Sequence, residues 1–239
     1  MDPKDQPRRR PSPALIYIGV LPLLLTGAAP TGRAGGAAAS AAAPAQTARD
    51  AAIEHDNLGI ALLAQFKASD AEKEFRLAIA AAPDYVPALV NLGIAQLAQV
   101  RYPEATETLG RALAVDPANV HAHYNLSLIF KVQGKTDEGV VHARAAVAGD
   151  ARDPDLHYNL GALYQSARNF DAAIAEYQTA LKLDSNLLPA YYSLGRAFIA
   201  KGDVESGKKY IQKHQELQAA SNLPVSSSGL KYGEQGRYS

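Results

Sequence analysis

The string NLGIA occupies Asn57 to Ala61 and returns at Asn91 to Ala95, 34 residues later. The same interval leads to NLSLI from Asn125, NLGAL from Asn159 and SLGRA from Ser193. A fixed period of this size restricts the fold more than any other property of the chain, since every copy must take one conformation and meet its neighbours in one way. No copy is large enough to cover its own apolar face, so the copies must stack into a continuous core.

The chain divides into units 52–85, 86–119, 120–153, 154–187 and 188–221. The seventh position is Leu58, Leu92, Leu126, Leu160 and Leu194, and the eighth is small: Gly59, Gly93, Ser127, Gly161 and Gly195. The twentieth is small again, with Ala71, Ala105, Gly139, Ala173 and Gly207. Four units then place a large residue, Phe75, Leu109, Tyr177 or Ile211, where the third has Ala143; Ala78, Ala112, Ala146 and Ala180 follow. Apolar residues three and four apart in both halves of a unit predict a pair of helices. Small residues belong where two helix axes approach. Glycine inside an isolated helix costs about 1 kcal/mol against alanine, so its recurrence points to a contact. Gly134 and Gly202 share one register between the two helices, while Asp84 after Pro83 and Asp116 before Pro117 mark exits from the second helix.

These residues resemble the tetratricopeptide repeat family over residues 52 to 221. The resemblance implies an all-α fold: a right-handed superhelical solenoid of antiparallel helix pairs, about five units long, with the first helices lining a concave groove. The fourth position, often Trp in the family, holds His55, Leu89, His123, His157 and Tyr191. Unit three carries Ser127, Gly139 and Ala151 where Gly, Ala and Pro are usual, so it is expected to be the most loosely packed link.

The resemblance assigns six positions of each unit to the groove. The sixth holds Asn57, Asn91, Asn125 and Asn159 before Ser193. An Asn side chain both donates and accepts, which suits a peptide backbone of any sequence; the competing reading is that these residues tie neighbouring helices together. The fifth position passes from Asp56 and Val90 to Tyr124, Tyr158 and Tyr192, and Lys131 and Arg196 add positive charge. The family's clamp for C-terminal carboxylates does not fit Asp56, Val90 and Ile60 at the positions it requires. The candidate peptide-binding residues are therefore Asn57, Asn91, Asn125, Asn159, Tyr124, Tyr158, Tyr192, Lys131 and Arg196.

The ends differ in kind. Residues 1–29 combine a basic head of Lys4 and Arg8 to Arg10, an apolar run from Ala14 to Leu25 and a small-residue step at Thr26 to Ala29, the layout of a secretory signal peptide or of a signal anchor spanning residues 14–29. Either version implies export, to the periplasm or the extracellular space. Residues 30–48 read as an Ala/Gly/Pro-rich linker before a solenoid at 49–221. Residues 222–239 repeat suitable residue types at Gly229, Tyr232, Gly236 and Tyr238, so they read as a degenerate or truncated sixth unit or a tail.

Lys plus Arg and Asp plus Glu balance at 24 each, which leaves no global field to draw in nucleic acid. There is no cysteine, hence no disulfide, thiolate nucleophile or Cys-based zinc site. Gly202 to Lys209 imitates a phosphate loop, but its glycines fall on repeat positions and Asp203 and Glu205 oppose phosphate. His55, His123 and His157 share one repeat position, so stacking spreads them along the array instead of gathering them around a metal; they read as filler at a bulky site. No catalytic grouping or cofactor fingerprint emerges. The expected function is a non-catalytic scaffold without metal or cofactor, holding a protein or peptide partner in its groove. The alternative is the regulatory or substrate-recruiting arm of an enzyme encoded downstream or in a partner chain, and self-association through the C-terminal end is a further possibility.

Overall fold

A computed structural model describes residues 36–221, with burial and side-chain contacts assigned over 46–219. The described residues form ten helices and no strand: α1 (Gly36–Ala64), α2 (Ala68–Ala81), α3 (Val86–Ala98), α4 (Tyr102–Val115), α5 (Val120–Val132), α6 (Thr136–Gly149), α7 (Pro154–Ser166), α8 (Phe170–Leu183), α9 (Leu188–Lys201) and α10 (Val204–Ser221). The proposed signal segment and sixth unit lie outside the described residues. The expected linker does not all stay irregular: α1 reaches back to Gly36, as its alanine content favours. No described helix is long and apolar enough to cross a membrane.

Units two to five begin their first helices at the first repeat position, helped by Pro87, Pro154 and Pro189 in the first turn. Asn119 and Asp153 cap α5 and α7 by accepting from the amides of Ala122 and Asp155. Each first helix ends in the same turn, in which the sixteenth amide of the unit bonds the eleventh carbonyl: Lys67 to Leu62, Arg101 to Gln96, Lys135 to Phe130, Asn169 to Tyr164 and Asp203 to Phe198. That six-to-one bond requires a left-handed residue at the fifteenth position. Gly134 and Gly202 supply it at φ 73° and 104°, but Phe66, Val100 and Arg168 adopt φ 60°, 62° and 60° in the same place.

Stacking explains one exception in the leucine series. Leu92, Leu126, Leu160 and Leu194 are at most 3% exposed, whereas Leu58 is 50% exposed. Leu194 packs among Ala173, Ile174 and Tyr177 of α8, so this leucine is covered by the second helix of the preceding unit. Unit one has no such neighbour among the described residues.

Within each unit the eighth position meets the twenty-fourth. A Cβ on Gly93 would lie 2.6 Å from Leu109, one on Gly161 2.8 Å from Tyr177 and one on Gly195 2.7 Å from Ile211. In unit three both positions are small, Ser127 at the eighth and Ala143 at the twenty-fourth. As a result α6 buries only Gly139, Ala143 and Ala146. The core is divided there. One apolar cluster runs from Leu63 to Ile129, another joins α8 to α9, and between them stands a small group of Ala143, Leu160 and Leu163. An open cleft of about 400 Å³ lies beside that group, lined by Val147, Leu160, Tyr164, Arg144 and Glu176.

Candidate interaction groove

Successive first helices touch one another, α1 with α3, α3 with α5, α5 with α7 and α7 with α9, and the second helices form no comparable row. In a curved stack the more closely spaced elements lie on the inside. The first helices therefore form the concave face.

The asparagines at the sixth position face mostly into the protein. Asn91, 8% exposed, donates to Asp56 Oδ1 at 2.9 Å, one unit back. Asn159, 2% exposed, donates to Ser127 Oγ at 2.6 Å and accepts from Lys131 Nζ at 3.1 Å. Asn125, 1% exposed, donates to the His121 carbonyl at 2.8 Å, and its Oδ1 is buried without a hydrogen bond. Only Asn57 of the four is exposed. Asn91 and Asn159 make the inter-helix ties weighed in the sequence, Asn125 bonds within its own helix, and none of the three displays a ladder open to a ligand.

Asp56 illustrates the cost of such a tie. It is 4% exposed, and burial pushes its carboxyl up to about 6 against the single bond from Asn91, which lowers it. A second inter-unit tie carries its charge more comfortably. Burial would raise the Glu72 carboxyl, but bonds from Arg76, Gln99 and Arg101 outweigh it and hold it below the ordinary range.

The aliphatic residues at the other groove positions of the first three units are also covered: Leu63, Val90, Ile94, Leu97 and Leu128 are buried and Ile60 is half-buried. Of the three tyrosines only the last, Tyr192, is exposed. Tyr124 and Tyr158 are half-buried, and burial raises the Tyr124 hydroxyl well above its usual value. Tyr158 leans on Tyr177 at 5.7 Å between centroids, and its hydroxyl stands 3.4 Å from Ser193 Oγ. Tyr192 is 44% exposed, with the exposed Arg196 guanidinium 5.9 Å from its ring centroid and His214 tilted against it. Lys131 is half-buried, and burial lowers its ammonium. Of the nine candidates, Tyr192, Arg196 and Asn57 are exposed, and the first two are adjacent on one helix turn.

The fourth-position histidines are better occupied than the sequence suggested. Nδ1 of His55 lies 2.7 Å from Glu74 and that of His157 2.7 Å from Glu176, each bridging the two helices of its unit. In unit three His123 meets His142 instead, Nδ1 to Nδ1 at 2.9 Å. No group of three or more potential metal ligands occurs among the described residues.

Profiles of the tetratricopeptide repeat match residues 62–128, 154–187 and 188–221. The chain belongs to the tetratricopeptide repeat family. Solved structures of MamA share the fold of this tetratricopeptide array. MamA from Desulfovibrio magneticus RS-1 superposes with a TM-score of 0.67 at 20% identity, covering 73% of this chain and 98% of its own. A second MamA structure gives a TM-score of 0.63 at 23% identity over 68% of this chain and 95% of that one. A third gives 0.64 at 22%, over 74% and 98%. No curated protein matches the tetratricopeptide chain by sequence.

Proposed function

We propose that this protein is an exported, non-catalytic scaffold that captures a peptide segment of a protein partner on the C-terminal half of its concave face. The observation that carries this reading is the pair Tyr192 and Arg196, an exposed ring with an exposed guanidinium beside its face, at the end of a tyrosine series whose first two members, Tyr124 and Tyr158, are half-buried. An amphipathic ring and a cation together suit a segment carrying both apolar and acidic side chains. The half-buried Tyr158, Tyr124 and Lys131 extend the platform toward the middle units. The buried Asn159 ties α7 to α5 beneath it. A small platform supports micromolar affinity, not nanomolar.

Capture from the envelope fraction with the chain beginning at residue 30 is the test, comparing wild type with Tyr192→Ala/Arg196→Ala. The double variant is expected to fold normally and to lose at least tenfold in captured partner. Unchanged capture would move the site off this face. The N-terminus of the protein recovered from the same fraction tests export independently: a start close to residue 30 supports it, and an intact Met1 in the cytoplasm opposes it.

A further inference from the structure

The position pairing His with Glu in units one and four pairs two histidines in unit three. His123 Nε2 lies 3.0 Å from the Pro117 carbonyl, which can only accept, so this nitrogen carries a proton. In a neutral ring the His123 Nδ1 is then a lone pair, and the 2.9 Å contact is made by the Nδ1 proton of His142. A first added proton can go to His142 Nε2 and leave the contact intact, now charge-assisted. A second must go to His123 Nδ1. Two N–H groups would then face each other, on two cations, at a distance that accommodates one proton.

We propose that the His123 and His142 pair is an acid-released latch, which holds α6 against α5 while at most one ring is charged and frees α6 when both are. The surroundings give the second charge little relief. From α5, His142 meets His123 and the Phe130 ring, stacked at 5.4 Å, with the Lys135 ammonium 5.8 Å from that ring. In the turn from α4 to α5, Asp116 is engaged with Asn119 and the Ala118 amide. In the turn from α6 to α7, Asp150 and Asp153 bear on His121. Across the next unit, Glu176 of α8 is held by His157. Burial, and then His123, keep His142 below the ordinary imidazole value. Apolar packing opposes release only modestly: α6 fully buries one glycine and two alanines, with Val140 and Val147 half-buried against Ala143, Leu160 and Leu163. In units one and four the partner is a carboxylate, Glu74 or Glu176, so no second N–H is set against the histidine.

Amide hydrogen exchange on the full chain, expressed as protection factors between about pH 7.5 and 5, tests the latch. Protection of α6 is expected to fall by roughly tenfold per pH unit once the second ring titrates, while α2 and α8 in the same sample keep theirs. His142→Glu, which copies the pairing of units one and four, is expected to abolish the fall. The latch is overturned by an α6 that stays protected to pH 5, by a loss shared equally with α2 and α8, or by a His142→Glu protein that still opens in acid. Should that variant not fold, the comparison of helices within the wild type decides alone.

Discussion

Gly161 sits so near Tyr177 that a Cβ on it would stand 2.8 Å from the ring. The ring has little room to retreat, since Tyr177 is 1% exposed and its hydroxyl donates to Gln165 Oε1 at 2.8 Å. Gly161→Ala is therefore expected to destabilise the array by about 1–3 kcal/mol, the usual cost of overpacking, despite the better helix propensity of alanine. Urea denaturation measures it; a neutral or stabilising result would show that the contact yields easily.

Unit three allows the same relationship to be run backwards. Ala143→Leu alone is expected to clash with Ser127. Ser127→Gly alone loses the bond from Asn159 and leaves space. Together they recreate the pairing of Gly93 with Leu109, so the double variant should be more stable than the sum of the singles by about 1–3 kcal/mol, the range for residues in direct contact. A double-mutant cycle with no coupling would refute the reciprocity.

Val100 holds a left-handed conformation, at φ 62°, that a β-branched residue tolerates poorly, and it is 61% exposed. Val100→Gly is expected to raise stability by about 1 kcal/mol, and Gly134→Val, in the same register, to lower it similarly. Paired melting curves settle the sign.

Asp56 binds its proton more tightly in the folded protein than in the unfolded chain, since its carboxyl is raised to about 6. The folded state thus gains stability from this group as pH falls from about 6 toward 4, and carries its cost at neutral pH. Asp56→Asn, which can still accept from Asn91, is expected to stabilise the protein at pH 7 by up to about 3 kcal/mol, with the advantage vanishing near pH 4. Urea midpoints of the two proteins across that range should converge on acidification; parallel curves would count against a buried, uncompensated charge.

The period alone located every hairpin, because Leu, Gly and Ala recur wherever two helices must touch. Even the anomaly of unit three was visible, since Ser127 and Ala143 depart from the pattern together. Contacts made between non-repeating positions were not legible. His142 occupies a register filled by Glu74, Thr108, Glu176 and Tyr210 elsewhere, so nothing in the period announces that it meets His123. The asparagine series misled for a related reason: recurrence shows that a residue is needed in every unit without showing whether the need comes from a ligand or from the adjacent helix. Leu58 carries the same lesson, being one residue type at one position with a different environment at the end of the row.

The division of the apolar clusters around α6 has a mechanical meaning. A chain pulled from its two ends would transmit the load through each interface equally, yet at unit three α6 fully buries only small side chains and the apolar group around it is the small one of Ala143, Leu160 and Leu163. Under tension the protein should part there first, giving two blocks that each remain rolled up around their own larger residues, and a force–extension trace should record their unravelling as separate events.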